Sequence, residues 1–586
     1  MAMQKGVLWE GKYYTLPQAA SKIDSSALAK SPLGGANVLV ILGEMIGLIL
    51  PKIPMQVGNA SLALSLLNPF SEEARLASQL AFDPSPGSGT PGASQVYLLP
   101  VNPAVRASGN LVNASAANVL LLTSYMHGLP ASQIKRKVES GTVIGKKITI
   151  AFQSGIESFD NITKSSFSIQ YTGAGSAAAM TIDVTAAGHI LATVATGATA
   201  DNLALDLNVY TTIQALVDAI NATGKYTATV LTGSPADSSM DLDTVTAQDI
   251  KTAALTAKSD LQALVDKINA SSAYCQAGRV ADAGTVPANS DWAYLAGGSN
   301  GATTNDDWQA AFDALKAMQV DLVLVLSSDA SIQSMGDAHC AYMSGPSGKS
   351  ERRQFVGGAL QSWGNPSARM ASIAALKTAA ANLNSDRTVH AALGCYQYDP
   401  NGKQKLYPAY ITAAMYAGIA AGGSPVLPLT RKYLRCLGLE TNLQIDEVSD
   451  LIDSGLAAPL PDPVQGAGYV ISRQVTTWNQ DQDLYRIEFS LGRGADYTAS
   501  QVRKRHELII GQPGEEMMDT TIVNVTNGVL QDEKDAGYIR SYDPAATQLR
   551  VDNMIRYVDY SAEQIEPISW IFSTFHLLPT TQTVQL

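Results

Sequence analysis

"VDLVLVLSSDASIQSMGDAHCAYMSGPSGKS", Val320 to Ser350, decides how this chain is read, because it places an apolar, strand-like run upstream of a glycine-bearing loop ending in Gly-Lys-Ser. A phosphate-cradling loop has the pattern G-x-x-x-x-G-K-[ST] and lies directly between a strand and a helix. Its first glycine lets successive backbone N–H groups curl around the phosphates. Here the first-glycine position is Met343, and "SIQSMGDAHCAYM" (Ser331–Met343) predicts a helix between strand and loop. Gly345–Ser350 therefore reads as a surface turn with a solvated Lys349, and a nucleotide-binding enzyme becomes the least favoured function.

Working outward, the texture is α/β. Asn305 is expected to cap a helix over Asn305–Met318 whose first turn carries Asp306 and Asp307, favourable at the positive helix end. A strand follows at Val320–Leu326, helices at Ser367–Leu383 and Ala409–Ala421, and a strand at Val389–Cys395. Upstream, strands at Val38–Leu42 and Gln95–Asn102 flank a helix around Ser71–Leu80. "NVLVILGEMIGLILP" (Asn37–Pro51) is shorter than a bilayer span of about 20 residues and carries Glu44, so it reads as a buried strand and a loop.

Between about Ser115 and Val286, stretches such as "KKITIAFQSGIESFD" and "AAMTIDVTAAGHILATVATG" alternate apolar and polar residues at period two, as half-buried antiparallel strands do. Within this β-rich insertion, Ile213–Val230 and Leu261–Gly278 share Q-A-L-V-D-x-I-N-A, which implies a pair of similar helix-containing modules. Two copies are too few for a solenoid. After Gly468, "GYVISRQVTTW", "YRIEFSLGRG", "TTIVNVTNGVL", "YIRSYD" and "QLRVDNMIRYVDY" read as a second strand-rich zone, interrupted by a helix at Thr498–Gly511.

The 586 residues exceed one simple core, which favours two to four domains. A net charge of −12 argues against a broad phosphate-binding surface and hence against nucleic acid as a partner. The start "MAMQKGVLWEGKYYTL" lacks an apolar h-region and a small-residue cleavage site, so no secretory signal is expected and synthesis ends in a cytoplasm. Sequons at Asn113 and Asn161 then carry no meaning. Cys275, Cys340, Cys395 and Cys436 lie far apart, without C-x-x-C spacing, and read as reduced, packed thiols. Asp337, His339 and Cys340 offer metal-ligating groups, yet a structural site wants four convergent ligands and no complement is evident. The histidines at 127, 189, 339, 390, 506 and 576 match no H-E-x-x-H pattern or triad, and no G-x-S-x-G elbow occurs. No catalytic centre, cofactor or metal is expected.

Both ends of the chain are apolar and β-prone, whereas free termini are usually polar unless tied down. "GVLWEGKYYTL" reads as a hairpin or extended arm around Glu10-Gly11 that needs another molecule's sheet. "EPISWIFSTFHLLPTTQTVQL" stays apolar to its last residue. One run, "QVRKRHE", gathers Arg503, Lys504, Arg505 and His506 on a short helix of an acidic chain. A solvated helix face is the ordinary reading; docking on an acidic partner, with on-rate and register set by charge complementarity, is the functional one.

The order of these landmarks resembles the tail sheath proteins of contractile-tailed bacteriophages and related contractile injection systems. The resemblance is carried by "SPLGGANVLVILGEMIG", by "LASQLAFDPSPGSGTPGASQVYLLPVNPAVRAS" with Pro100 where the family more often has Arg, and by "SPVLPLTRKYLRCLGLE" with Arg431 in place of the usual Asn. "DEVSDLIDSGLAAP", "GYVISRQVTTW" and "DNMIRYVDYSAEQIEPISWIFSTFHL" continue it. "HCAYMSGPSGKSERRQFVGG" is similar to a family segment in which a glycine-bearing loop precedes a basic helix start.

The resemblance implies a multidomain α/β and α+β fold: an arm at 1–30, a sheath core at 31–115 and 287–465, an outward-facing β-rich insertion at 116–286, a tube-facing C-terminal domain at 466–565 and an arm at 566–586. It implies a non-enzymatic homopolymer of six-fold rings stacked helically around an inner tail tube, with the baseplate and tail terminator as further partners. The expected location is the virion, after assembly in the host cytoplasm, with no membrane insertion. Val7, Trp9, Tyr13, Tyr14, Phe575, Leu577, Val584 and Leu586 are the expected inter-subunit arm contacts, and Arg503, Lys504, Arg505 and His506 the expected tube-facing contact. A surface adhesin or layer protein, suggested by the Thr/Ala/Gly-rich insertion, is the alternative class.

Overall fold

Strands Val38–Gly43 and Leu322–Val325 carry apolar side chains on both of their faces, so neither face can be left to water. The computed structural model describes residues 7–9, 12–14, 37–86, 90–186, 188–232, 235–462 and 468–576, the first two stretches as backbone alone. These two strands sit at the centre of a seven-stranded sheet, ordered Leu456–Ala457, Thr388–Ala391, Arg353–Gly357, Leu322–Val325, Val38–Gly43, Gln95–Pro100, Met55–Val57. All neighbours pair in parallel except the last, which is antiparallel.

Alternate side chains build two cores. Leu39, Ile41, Leu322, Leu324, Phe355 and Val389 face the helices Glu72–Phe82 and Ala409–Gly422. Val40, Leu42, Val323, Val325 and Val356 face Asn305–Leu315 and Ala330–Ser344 through Trp308, Phe312, Ile332 and Cys340. Helix Ala409–Gly422 is buried on all sides and built largely of alanine. A Cβ at Gly418 would fall 2.6 Å from the Ala81 carbonyl oxygen, so glycine is what lets this helix close on Glu72–Phe82.

The β-rich insertion holds two lobes of like composition. In one, the four-stranded sheet Gly155–Ile162, Lys146–Phe152, Lys135–Ser140, Ser290–Tyr294 and the three-stranded sheet Cys275–Arg279, Asn118–His127, Arg106–Val112 share a core with helix Asp260–Ser271. In the other, the four strands Ala204–Asp206, Ile190–Thr196, Ala177–Asp183, Val245–Asp249 and the three strands Tyr226–Val230, Ser165–Tyr171, Leu255–Lys258 do the same with helix Ile213–Ala222.

The two helices are the two copies of Q-A-L-V-D-x-I-N-A, and equivalent residues do equivalent things. Ile213, Leu216, Val217 and Ile220 are buried, as are Leu261, Leu264, Val265 and Ile268. Gln214 donates to Asp218 at 2.7 Å and Gln262 to Asp266 at 2.9 Å. Asn221 accepts from the Ala228 N–H at 2.7 Å and donates to its carbonyl at 2.8 Å, while Asn269 accepts from the Ala277 N–H at 2.7 Å and donates to its carbonyl at 3.0 Å. Both alanines lie on the edge strand of a three-stranded sheet, so each asparagine covers main-chain groups that an open edge would otherwise present.

The insertion is stitched to the core by hydrogen bonds between residues far apart in sequence. Gly47 and His127 exchange backbone hydrogen bonds of 3.2 and 2.7 Å, and Asn300 accepts from Asn102 through its carbonyl and from the Leu129 N–H through its side chain, each at 2.8 Å. Insertion and core belong to one compact unit, Asn37–Arg493 with Glu566–Leu586.

The other unit comprises Met1–Ala36 and Gly494–Ile565. Val7–Trp9 and Lys12–Tyr14 form the expected hairpin, with Val7 opposite Tyr14, Leu8 opposite Tyr13 and Trp9 opposite Lys12. The rest of the unit holds helix Glu516–Asp535, the ribbon Ile539–Tyr542 with Ala562–Gln564, and the hairpin Gln548–Asp552 with Ile555–Asp559, turned at Asn553 with φ +54°.

Several sequence expectations are corrected here. Thr520–Leu530 is helical, not a strand. Its threonines return their hydroxyls to carbonyls four residues back, as Thr521 does to Met517 at 2.9 Å and Thr526 to Ile522 at 2.9 Å, and buried Thr526, Val529, Leu530 and Glu533 recur at helical spacing. "YRIEFSLGRG" likewise forms helices, Leu484–Ile487 and the start of Phe489–Glu507. A Cβ at Gly492, which weakens the helical signal, would fall 2.7 Å from the Tyr485 carbonyl oxygen and run into the Arg353 guanidinium. The expected helix at Thr498–Gly511 is the later part of Phe489–Glu507.

Thr304, not Asn305, caps the helix Asn305–Leu315, in a capping box with Asp307. The expected strand Val389–Cys395 is two strands, Thr388–Ala391 and Cys395–Tyr398, in different sheets. The loop after Ser344 leads into strand Arg353–Gly357 rather than a helix start.

Replacing Asn221 or Asn269 by alanine is expected to destabilise its own lobe by about 1–3 kcal/mol, since each removes two hydrogen bonds to an edge strand. Amide exchange should accelerate in Tyr226–Val230 for one and Cys275–Arg279 for the other; unchanged protection would reject the clamp.

Candidate assembly site

Apolar residues near the described C-terminal end lie outside the cores described above. The segment 566–576 runs without helix or strand, and Ile568, Trp570, Ile571, Phe572 and Phe575 stand exposed along it, Phe572 at 93% and Phe575 at 84%. Leu577, Val584 and Leu586 lie outside the described residues. At the other end, the hairpin Val7–Trp9 with Lys12–Tyr14 has three residues a side, too few rungs to be stable alone in water. Val7, Trp9 and Tyr14 share one set of alternating register positions on it, and Tyr13, opposite Leu8, belongs to the other.

The basic run is carried on the last turn of helix Phe489–Glu507, where cations are favoured by the negative helix end. Its members differ in environment. Lys504 and Arg505 are exposed, whereas Arg503 is partly buried. His506 shares a hydrogen bond of 2.9 Å with the Thr526 hydroxyl, and burial lowers its pKa from the ordinary histidine value, which leaves the ring neutral at pH 7. The surface charge of the run at that pH therefore includes Lys504 and Arg505 but not His506.

Leu508 and Ile510, directly after it, are exposed, as are Met517 and Met554. A cleft of about 550 Å³ opens here, lined by His506, Ile509, Ile510, Met518, Met554 and Val558 among others. The sequence signal for this apolar rim was "LII" and "MM" flanking Gly511–Gly514, which a charge-based reading passes over.

The same unit buries a carboxyl group. Glu533 accepts from the Thr498 hydroxyl at 2.6 Å, and Gln564 donates to that hydroxyl at 3.4 Å. Burial pushes the Glu533 pKa up to about 7.

The glycine-lysine loop has a structural account. Met343 lies inside helix Ala330–Ser344, and the Ser350 N–H donates to its carbonyl at 2.8 Å. A Cβ at Gly348 would collide with the Met343 backbone, so this glycine permits close chain approach, which is a packing role. The loop closes over buried Arg352, which donates to His339 Nε2 at 2.8 Å and to the Met318 carbonyl. Burial, reinforced by Arg352, holds His339 down to about 4. Asp337 accepts from the Thr388 hydroxyl at 2.6 Å, and burial pushes the Cys340 thiol up to about 12. Asp337 and His339 thus turn to different partners. Among the described residues no group of three or more His, Cys, Asp or Glu is placed to hold a metal ion, and no helix is long and apolar enough to cross a membrane.

No protein-family model matches the chain. It is 28% identical over 592 residues to the tail sheath protein of Bacillus phage SP01, covering 99% of this chain and 98% of that protein. The crystal structure of a sheath tail protein from Desulfitobacterium hafniense matches with a TM-score of 0.54 at 10% identity, covering 94% of this chain and 97% of that one. A sheath tail protein from Listeria innocua matches with the same TM-score at 13% identity, covering 93% and 95%. At those identities the structural likeness is one of fold.

Because Glu533 has a folded pKa above its unfolded value, the stability it contributes is fully present below about pH 4.5 and is lost as pH rises through about 7. Glu533→Gln, uncharged at every pH, should flatten this loss and stabilise the Gly494–Ile565 unit at pH 8 by on the order of 2 kcal/mol. Denaturant unfolding of both proteins at pH 5 and pH 8 reads the difference.

Proposed function

We propose that this chain, which is similar over nearly its whole length to the tail sheath protein of Bacillus phage SP01, is the repeating structural subunit of a contractile phage tail sheath. Copies polymerise as six-fold rings stacked helically around an inner tail tube and contract by rigid-body repacking, driving the tube through the host envelope. The observation that carries this reading is a likeness extending over 99% of the chain. The role is structural and not enzymatic; the subunit works in the virion tail after assembly in the host cytoplasm. Its partners are other copies of itself, the tube, the baseplate and the tail terminator.

Two features of the molecule support the reading. The apolar residues of 566–576 suit a strand completed by a neighbouring copy, because β-augmentation supplies main-chain hydrogen bonds that persist while the bodies rotate. Contacts of that head-to-tail kind propagate as helical polymers. The insertion, held to the core through Gly47–His127 and Asn300, travels with it as one piece. Energy for contraction then resides in the difference between two lattice packings separated by a barrier, with no nucleotide consumed.

Negative-stain microscopy of the purified protein tests the proposal: hollow tubes are expected, whereas flat lattices or monomers at all concentrations would overturn it. Deleting residues 1–16 or the last dozen should leave a folded monomer unable to polymerise, and tubes of normal length from either truncation would refute the arm assignment for Val7, Trp9, Tyr13, Tyr14, Phe575, Leu577, Val584 and Leu586. The Arg503–His506 run is assigned to the tube-facing contact, with the exposed pair Lys504 and Arg505 supplying its charge. Lys504→Glu with Arg505→Glu should abolish co-assembly on tubes at moderate salt while leaving the monomer folded; unchanged co-assembly rejects that contact.

A further inference from the structure

The described C-terminal segment from Glu566 is grouped with the Asn37–Arg493 unit, and along it one aromatic side chain has found a partner in its own molecule. The Arg473 guanidinium sits over the Trp570 ring, 5.1 Å from its centre. Trp570 is 66% exposed, against 83% for Ile568 and Ile571 on either side and 93% for Phe572.

Arg473 is not a free-swinging surface side chain. Its Nε lies 3.1 Å from Oε2 of Glu488, whose side chain is 3% exposed. The backbone on both sides of that pair is paired in turn: Val475 and Glu488 form an antiparallel bridge, and the Thr476 N–H donates to the Ile487 carbonyl at 2.9 Å. A buried carboxylate thus fixes one edge of the guanidinium plane, and the plane's face is left to an aromatic ring. Arginine in that state is a good cation–π partner, because little side-chain freedom remains to be lost on stacking.

We propose that Trp570 is the anchor of the C-terminal arm, stacked on Arg473 so that the root of the arm stays on its own subunit and only the residues from Ile571 onward are free to reach a second copy. This rests on the sheath reading above and adds to it a fixed origin for the arm. The 16 residues from Ile571 to Leu586 span at most about 53–58 Å when fully extended. That length is the greatest distance a donated strand can cover from the anchor, in any packing of the lattice.

The anchor has a chemical signature that simple apolar packing lacks: it depends on an aromatic face and on a cation. The test uses the full-length protein before polymerisation and measures the rate of proteolytic cleavage and amide exchange within 566–571. Trp570→Leu, which keeps apolar bulk but has no ring, is expected to raise both rates about fivefold, whereas Trp570→Phe and Trp570→Tyr should stay within about twofold of the parent. Arg473→Met should behave like Trp570→Leu; since it also strands buried Glu488 and can disturb the fold, the Trp570 series at an exposed site decides the matter. Equal rates for parent, Trp570→Leu and Trp570→Phe overturn the anchor, as does a leucine variant better protected than the phenylalanine one. Those outcomes leave the sheath reading standing. If instead the protein lacking its last dozen residues still forms tubes, the donated-arm reading falls while the anchor result holds.

Discussion

A sheet whose central strands are apolar on both faces imposes the rest of this architecture. Leu39 and Ile41 must be covered from one side and Val40 and Leu42 from the other, so helices are required on both. One covering helix, Ala409–Gly422, is itself surrounded, and it reaches that depth because alanine and Gly418 let it approach Glu72–Phe82 closely. With both faces occupied, a large insertion can be accommodated only where the chain leaves a strand. It departs after Gln95–Pro100 and is held there by Asn102, His127 and Asn300.

The insertion solves its own packing problem twice. Each lobe sets a repeat helix against paired sheets, and each ends that helix with an asparagine turned onto the neighbouring edge strand. An uncovered edge would invite indiscriminate strand pairing. Each asparagine closes one such edge of its lobe. The placement of polar groups thus complements the proposed polymer: side chains close edges on the insertion, and the apolar terminal segment stays open.

Electrostatics contribute locally. Arg352, buried in the core, is satisfied by His339 and by main-chain oxygen, and the glycine-lysine loop closes over it. Glu488 plays the converse part, holding Arg473 in place for the Trp570 ring. The cleft beside Ile510 and Met554 adds an apolar component next to Lys504 and Arg505, so the basic run borders a surface that is not purely ionic.

Much of this was legible in the residues themselves. Period-two alternation announced the insertion, continuous apolar runs announced the buried strands, the Q-A-L-V-D-x-I-N-A copies announced twin modules, and Met343 in place of a glycine argued against phosphate binding. Apolar character at the C-terminus was equally plain, because a short pattern states it without reference to anything distant. Tertiary structure alone decided the rest. The helices at Thr520–Leu530 and Phe489–Arg493 were not legible locally, because their partners, His506 and Arg353, are remote in sequence or lie behind a glycine that weakens the local signal. Likewise burial lowers the His506 pKa, and Trp570 found Arg473 about a hundred residues away, since burial and long-range contact depend on where the whole chain goes.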